Sequence, residues 1–311
     1  GNPMKSLRHH SLQQLKVLGC LLNKSELNRQ ELMFILSELP THGLLGFKEF
    51  LPKIHEINSS SIFKATVVKK NILWTACQSE LQKSNLLKSS DAMKRLYGEK
   101  SFFYKNPKSA SNVIIIAFTT MFNNFHFSNA VLASILFKSG HSFLIVKDTT
   151  ESFYLNGIPD FGSDFEESAL NLQYFLVNEG FKSIRIMSYS AGGYASILYA
   201  SKIKDVSNII CFSPRTDYSE GGSHQAGEAF ERIRNKLPGY LCKNLKDIVD
   251  FSRFSTSIVF GSENKVDQSH AQNLLNESNI KLLKVRGCDH DTPSALLASG
   301  KFDKVMSELF F

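Results

Sequence analysis

The chain has 311 residues, of which 42% are hydrophobic and 21% charged, a composition typical of globular proteins. No uninterrupted apolar run reaches the roughly eighteen residues of a membrane span, so a transmembrane segment is not expected. The five cysteines are scattered without a Cys-x-x-Cys pair, which excludes the usual patterns of a disulfide framework or a zinc site and favours a reducing, cytoplasmic location.

The net charge of +7 is concentrated near the N-terminus, because residues 1–109 hold 17 lysines and arginines against 8 acidic residues. These basic residues are dispersed, and no compact stripe with interleaved aromatic residues marks a nucleic-acid surface. Leucines recur at helical spacing between positions 12 and 22, and Asn28 with Glu31 resembles a capping box. Residues 1–60 are therefore predicted to form a helical appendage, for which docking of a protein partner is one interpretation.

Strand-like residues follow the appendage, and residues 61–311 are predicted to form the main domain. Ile62–Gln78 and Ser101–Lys105 favour strands, with a helix over Glu80–Tyr97 between them. After Pro107, short apolar strands alternate with helices, which predicts a mostly parallel α/β sheet with helices on both faces. The strands are predicted at Val113–Phe118, Ser142–Val146, Ser183–Met187, Asn208–Phe212, Ser257–Phe260 and Lys281–Val285. The helices are predicted at Ser128–Phe137, Ser163–Glu179 with Ser163 as N-cap, Ala191–Ile203, His270–Glu277 and Pro293–Phe310.

A serine stands directly between a predicted strand and a predicted helix, in the segment Met-Ser-Tyr-Ser-Ala-Gly-Gly at 187–193. A sharp strand-to-helix turn exposes a serine hydroxyl above the sheet, and it requires small residues two before and two after that serine. Ser188 and Gly192 occupy those positions. Ser190 is therefore predicted to be a nucleophile, the alternative being an unreactive serine in an ordinary loop.

This segment resembles the Gly-x-Ser-x-Gly motif of the α/β-hydrolase superfamily, with Ser188 in place of the first glycine. The order of elements extends the resemblance over about residues 110–311, although the turn around Ser190 is its specific part. The resemblance implies an α/β-hydrolase-type sheet and a serine hydrolase of the carboxylesterase or thioesterase kind. Relatives also place a lid after the strand that corresponds to Asn208–Phe212, so a lid over 213–256 is expected.

A serine nucleophile needs a base, and His290 is the strongest candidate because it follows the last predicted strand by a short loop. The resemblance implies the same position for the catalytic histidine, and the chain order of serine, acid and histidine is respected. The alternative is a surface histidine without a role. His224 and His270 are weaker candidates, since neither follows a strand.

The acid partner is expected after the strand Ser257–Phe260, although many relatives carry it at the position where Asn264 stands. Asp267 is the preferred candidate, because it lies just before the helix predicted from His270 and can point at the histidine loop. Glu263 and Asp217 are the alternatives. Asp267 is also explained without catalysis as an acidic residue at a helix N-terminus.

The oxyanion hole is expected to use the backbone N–H of Ala191, at the start of the helix after Ser190. The second donor is expected in the loop after Val113–Phe118, from Thr120 or Met121, where relatives usually carry His-Gly. Inside the expected lid, several residues are candidates for contacting a polar or anionic substrate: Arg215, His224, Arg232 and Arg234. Others are candidates for an apolar wall: Tyr218, Phe230 and Tyr240.

These features together predict hydrolysis of an ester or thioester, carried by a small molecule or an acylated substrate, through an acyl-enzyme on Ser190. An acyltransferase would use the same residues, and a non-catalytic scaffold of the same fold is the alternative from another class. No cofactor is expected, because residues 190–193 lack both the P-loop lysine and the dinucleotide spacing. No metal site is expected around His290.

Overall fold

A computed structural model of the chain describes residues 72–73, 75–77, 79–81, 95–96, 98–107 and 112–310. The appendage predicted over residues 1–60, and its boundary with the main domain, lie outside them. The described residues fall into two compact units. The described residues up to Glu99 join Phe122–Ser139 and Pro293–Lys304 in the first unit, and Lys100–Met121, Gly140–Thr292 and the described residues from Val305 onward form the second.

The described residues between 72 and 81 are helical, so the strand predicted over Ile62–Gln78 is wrong at its C-terminal part. Leu73 and Cys77, four residues apart, are buried, whereas Ile72 is 64% exposed. That period is helical, because residues four apart lie on one face of a helix. The apolar and β-branched residues of the segment led to the strand prediction and made this helical period hard to recognise.

A seven-stranded sheet forms the centre of the second unit. Its strands are β1 (Phe102–Tyr104), β2 (Val113–Phe118), β3 (Ser142–Val146), β4 (Ser183–Tyr189), β5 (Val206–Phe212), β6 (Ser255–Gly261) and β7 (Ile280–Val285). Their order across the sheet is β1-β3-β2-β4-β5-β6-β7. Only the pairing of β1 with β3 is antiparallel among these strands. The predicted mostly parallel α/β sheet is confirmed.

Parallel pairing brings the carboxyl ends of β2, β4, β5, β6 and β7 to one edge of the sheet. Phe118 at the end of β2 pairs with Ser188 of β4, and Tyr189 pairs with Phe212 at the end of β5. Because every loop that carries a predicted site residue leaves one of these strand ends, residues about 170 positions apart in sequence can meet there.

The elements between and after the strands have the following bounds. The helices are α1 (Asn129–Lys138), α2 (Phe165–Asn178), α3 (Ala191–Lys202), α4 (Glu228–Glu231), α5 (Leu245–Ile248), α6 (Lys265–Asn273), α7 (Thr292–Ala298) and α8 (Phe302–Leu309). Short 3-10 turns occupy Arg234–Lys236, Gly239–Leu241 and Phe251–Arg253. The predicted lid segment therefore contains two one-turn helices and three 3-10 turns.

The core of the second unit is built from β-branched and aromatic strand residues that are buried on both faces of the sheet. Ile114, Ile116 and Phe118 of β2 share one cluster with residues of α2, α3 and α6. Ile115 and Ala117 alternate with them on the opposite face and are equally buried. Strands that are buried on both faces appear in the sequence as continuous apolar runs, so the positions of these strands were predicted accurately.

Three predicted helix bounds differ from the structure. The cap of α2 is Asp164 rather than Ser163, and its carboxylate accepts from the Glu167 N–H at 2.8 Å. Helix α6 begins at Lys265, five residues before the predicted start at His270. The single helix predicted over Pro293–Phe310 is two helices, α7 and α8, separated by Gly300 with φ 71°. Among the described residues, no helix is long and apolar enough to cross a membrane.

Candidate active site

Ser190 lies in the turn between β4 and α3, where the chain passes from strand to helix without a loop. Its backbone has φ 53° and ψ −114°, a conformation that residues with a side chain rarely adopt. Two backbone hydrogen bonds hold the turn: the Ser190 N–H donates to Phe212 O at 2.9 Å, and the Gly193 N–H donates to Ser190 O at 2.9 Å. Backbone strain of this kind persists only where the surrounding structure enforces it, and it is concentrated at functional sites.

The two glycines after Ala191 let this turn pack closely against two neighbouring loops. A β-carbon at Gly192 would collide with the backbone carbonyl of Thr119, in the loop after β2. A β-carbon at Gly193 would collide with Pro214, in the loop after β5. The glycines are therefore required by the close approach of a backbone carbonyl at Gly192 and of a proline ring at Gly193, rather than by a left-handed conformation.

Ser188 occupies the position where the resemblance leads one to expect a glycine. Its side chain is fully buried, and its Oγ lies 3.1 Å from the Oγ of Ser196 on α3. The Ser196 hydroxyl also lies 2.7 Å from Gly193 O, to which it donates. A polar contact with the helix thus accommodates the extra hydroxymethyl group beside the turn.

His290 reaches Ser190 from the loop between β7 and α7. Its Nε2 lies 2.8 Å from Ser190 Oγ. The backbone of this loop is fixed at His290 itself, whose carbonyl accepts from the Ser213 hydroxyl at 2.7 Å and from the Thr292 N–H at 2.9 Å. The imidazole is half-buried, with 31% of its side chain exposed. A nucleophile and a base are therefore within hydrogen-bond reach.

The histidine loop also packs tightly against the end of β6. A β-carbon at Gly261 would overlap the backbone carbonyls of Cys288 and Asp289. Asn264 adds a side-chain contact, because its Nδ2 donates to Asp289 Oδ1 at 2.8 Å. The glycine after the strand therefore allows the acid loop and the histidine loop to meet.

Asp267 is the carboxylate that contacts the His290 ring. Its Oδ2 lies 2.6 Å from His290 Nδ1, and its side chain is completely buried. Asp267 is the third residue of α6, and its N–H donates to the side chain of the cap residue Asn264 at 2.9 Å. The residue therefore lies within the first turn of the helix, not before it as the sequence predicted.

The two alternative acids have other surroundings. Glu263 is exposed, and its backbone N–H donates to Cys288 O at 3.0 Å. The carboxylate of Asp217 is buried and accepts from the backbone N–H of Ser219 at 2.9 Å and from its hydroxyl at 2.5 Å. Asp217 thus closes a local turn in the segment after β5.

Arg215, a candidate for substrate contact in the sequence, lies beside Asp267 in the structure. Its NH1 donates to Asp267 Oδ1 at 2.7 Å, on the carboxylate oxygen that does not contact His290. A signal was present, because Arg215 follows β5 by three residues and so leaves the same sheet edge as Ser190. Sequence could not indicate which carboxylate it would reach.

Two backbone segments meet where an oxyanion hole was predicted. Ala191 begins α3, and the loop after β2 contacts the same turn through the carbonyl of Thr119. This loop is held by Tyr154, whose hydroxyl accepts from the Thr119 N–H at 3.2 Å. Ala191 and Thr120 are both almost fully buried, at 5% and 3% exposure. Backbone N–H groups in such surroundings interact strongly with a developing negative charge.

Two buried titratable side chains surround the Asp267–His290 pair. Burial raises the pKa of Tyr189 well above its ordinary value, and nearby carboxylates raise it further, so its phenol stays neutral. Burial lowers the pKa of His270 to about 4, and this ring is also neutral near pH 7. The Thr216 N–H donates to His270 Nδ1 at 2.9 Å, and His270 Nε2 donates to Gln225 O at 2.6 Å. These bonds fix the tautomer of His270.

The remaining residues of the expected lid contact other parts of the protein. Tyr218 and Phe230 are buried and stack with ring centroids 3.7 Å apart, so they belong to the core rather than to an exposed apolar wall. Arg234 pairs with Glu231 at 2.7 Å. The Tyr240 hydroxyl donates to Glu166, at 3.1 Å. His224 Nδ1 lies 2.6 Å from the hydroxyl of Ser269 on α6, and Arg232 is exposed.

Within the described part of the chain, no cluster of three or more His, Cys, Asp or Glu side chains has the arrangement of a metal site. The serine, histidine and aspartate form a hydrogen-bonded chain in which the imidazole can take the serine proton while the carboxylate balances the resulting charge. The arrangement is therefore chemically suited to nucleophilic attack by Ser190.

No family model matches this chain, and no curated protein sequence matches it. Solved structures with similarity to it include an esterase of Pyrobaculum calidifontis, with 10% sequence identity, a TM-score of 0.48, and coverage of 78% of this chain and 90% of the esterase. A structure from a study of carboxylesterases of the thaumarchaeon Nitrososphaera gargenis has 12% identity, a TM-score of 0.45, and coverage of 67% and 93%. MenH from Staphylococcus aureus has 17% identity, a TM-score of 0.43, and coverage of 68% and 97%.

Proposed function

We propose that this protein is a serine hydrolase that cleaves an ester or a thioester through an acyl-enzyme on Ser190. The observation that carries the proposal is the hydrogen-bonded chain from Ser190 Oγ through His290 to Asp267, with contacts of 2.8 Å and 2.6 Å. The strained backbone of Ser190, with φ 53° and ψ −114°, supports it, because such strain is concentrated at functional sites.

In the proposed first step, Ser190 Oγ attacks the carbonyl carbon while His290 Nε2 takes the hydroxyl proton. The contact with Asp267 keeps the proton of the neutral imidazole on Nδ1, so that the free electron pair of Nε2 faces the serine. The same carboxylate stabilises the imidazolium that forms. Asp267 therefore acts as the acid of the triad, in preference to Glu263 and Asp217.

The negative charge that develops on the carbonyl oxygen is proposed to be bound by the N–H of Ala191 and by the N–H of Thr120. Each such donor contributes roughly 10²–10³-fold to the rate in serine hydrolases. The close packing of Gly192 against Thr119 supports this pairing, because it brings the two donor segments together.

As the tetrahedral intermediate collapses, the imidazolium of His290 gives its proton to the leaving alcohol or thiol, and the acyl-enzyme on Ser190 is complete. In the second half of the reaction a water molecule attacks the acyl-enzyme while His290 takes its proton. His290 then returns this proton to Ser190 Oγ as the carboxylic acid is released. None of these steps calls for a cofactor. The described cysteines at 77, 211, 242 and 288 are free thiols, which supports a reducing, cytoplasmic location as part of the proposal.

An active-site-directed fluorophosphonate tests the proposal directly. We expect covalent labelling of the wild type, no labelling of Ser190→Ala, and labelling of the matched variant Ser163→Ala at the wild-type rate. Hydrolysis of a p-nitrophenyl ester should fall by roughly 10³–10⁶-fold in Ser190→Ala and in His290→Ala. Circular dichroism of each variant verifies its fold.

A folded wild type that resists the fluorophosphonate and turns over no ester or thioester would overturn the proposal and favour the non-catalytic scaffold. An acyltransferase is the alternative that keeps the same residues and replaces water by an alcohol. Addition of alcohols to the ester assay separates the two, because a transferase converts most of the acyl groups to new esters at low alcohol concentration.

A further inference from the structure

The buried carboxylate of Asp267 has a strong partner on each oxygen. Oδ2 lies 2.6 Å from His290 Nδ1, and Oδ1 accepts from Arg215 NH1 at 2.7 Å. The Asp267 side chain has no exposed surface, whereas 23% of the Arg215 side chain is exposed. Since a buried carboxylate is costly unless both oxygens are paired, Arg215 supplies a contact that solvent does not provide.

Arg215 is itself held on two sides. The preceding residue, Pro214, packs against Gly193 of the Ser190 turn. On its other side the guanidinium Nε donates to Ala226 O at 3.3 Å, in the loop that comprises residues 221–227. The neighbouring carbonyl of that loop, Gln225 O, accepts from the buried His270. The guanidinium is therefore oriented before any substrate arrives.

We propose that Arg215 is a positioning residue of the catalytic triad, which fixes the rotation of the Asp267 carboxylate so that one oxygen faces His290. This inference rests on the proposed function. Arg215 acts through Asp267 and contacts neither Ser190 nor His290 in the hydrogen-bonded chain.

Removal of the guanidinium would leave Asp267 Oδ1 buried and unpaired. The carboxylate can then rotate or shift, and the imidazole that it orients moves with it. A displacement of about 1 Å at a catalytic group lowers the rate by up to roughly 100-fold. Lysine retains the charge but lacks the planar fork of donors, so it restores the electrostatic effect better than the geometry.

The first experiment compares Arg215→Met and Arg215→Lys with Arg253→Met. Arg253 is the matched control, because its guanidinium donates to two backbone carbonyls, those of Ser201 and Ile203. We expect Arg215→Met to lower kcat by about 10–100-fold with KM changed less than about threefold. Arg215→Lys, which keeps the charge, should recover part of the lost kcat. Arg253→Met should match the wild type in both kcat and KM.

The second experiment is a double-mutant cycle with Asp267→Asn. If Arg215 acts through Asp267, Arg215→Met should change kcat less than about threefold when Asp267→Asn is already present. A further 10–100-fold loss of kcat in the double variant, relative to Asp267→Asn alone, would overturn the inference. Thermal unfolding of all four proteins identifies a variant that has lost its fold, and the kcat of Arg215→Lys then carries the test.

The outcomes separate this inference from the function on which it rests. A wild type that is labelled at Ser190, together with a folded Arg215→Met variant of unchanged kcat, overturns the positioning role and leaves the hydrolase proposal intact. A wild type without labelling and turnover overturns both. A rise in KM alone would assign Arg215 to substrate binding instead.

Discussion

A methyl group added at Gly192 or at Gly193 would push the Ser190 turn away from one of its two neighbouring loops. Gly192 faces the carbonyl of Thr119, and Gly193 faces the ring of Pro214. The positions of the two predicted oxyanion donors therefore depend on residues that contribute no side chain. The sharp turn at Ser190 could be predicted from the sequence, because such a turn requires small residues on both sides of the serine.

Gly192→Ala tests this requirement. The added β-carbon overlaps backbone atoms that cannot rotate away, so we expect a loss of about 1–3 kcal/mol in the free energy of unfolding. We also expect reduced fluorophosphonate labelling. Urea unfolding followed by circular dichroism measures the first effect. Gly239→Ala is the matched control, because a β-carbon there has nothing within 4 Å. Equal stability of the two variants would contradict the close-approach argument.

The side chains that meet in the site include three that the sequence proposed together, Ser190, His290 and Asp267. Their chain order and their positions after strands were sufficient to select them. The contact of Arg215 with Asp267 was not predictable, because it depends on the path of one loop and on one long side chain. Whether a polar side chain meets a substrate or another side chain is decided by such loop geometry, not by residue type.

At the scale of elements, the seven strands of the sheet were predicted within two residues of their observed ends, whereas the strand predicted over Ile62–Gln78 was wrong at its C-terminal part and the start of α6 was predicted five residues too late. Helix α6 begins at Lys265 because Asn264 caps it, with its side chain accepting from the Asp267 N–H. The first turn of α6 has little apolar periodicity, since its buried side chain is the charged Asp267. A buried carboxylate at an inward-facing helix position removes the pattern by which such a helix is recognised.

Helix α6 also carries His270, which gives the fold a dependence on pH. Burial is the main reason that its pKa falls from 6.5 to about 4. Between these values the unfolded chain binds a proton that the folded protein does not bind. The free energy of unfolding therefore decreases as the pH falls through this range, by at most roughly 1.4 kcal/mol per pH unit from this residue. The contribution is fully present above about pH 6.5.

His270→Asn removes the titrating group and keeps an acceptor for the Thr216 N–H. We expect the variant to be less stable than the wild type at pH 7.5 and the difference to shrink as the pH approaches 5. Urea midpoints at four pH values between 5 and 7.5 measure it. Parallel pH dependences in the two proteins would show that His270 is not the group responsible.

For the molecule as a whole, the alternation of strands and helices was sufficient to predict the parallel sheet. Strand β1 lies within the predicted Ser101–Lys105, but its antiparallel pairing with β3 was not predicted, and neither was the break between α7 and α8. A strand of three residues is too short to carry a side-chain pattern that would indicate its direction in the sheet. The break at Gly300 depends on one left-handed residue in an otherwise helical sequence.

The backbone of Ser190 has a consequence for the stability of the whole protein. A serine at φ 53° and ψ −114° stores roughly 1–3 kcal/mol of backbone strain. Glycine would release this strain, but its greater conformational entropy in the unfolded chain would cost about 0.5–1 kcal/mol. We expect Ser190→Gly to unfold at higher urea concentration than the wild type, by about 1 kcal/mol, and to be inactive. Ser190→Ala, which keeps the β-carbon, should be equally inactive without the gain. If both variants unfold at the same urea concentration as the wild type, the backbone of Ser190 does not store strain. If Ser190→Gly is more stable, the conformation that presents the Ser190 hydroxyl lowers the stability of the protein, and selection for stability alone would replace this serine.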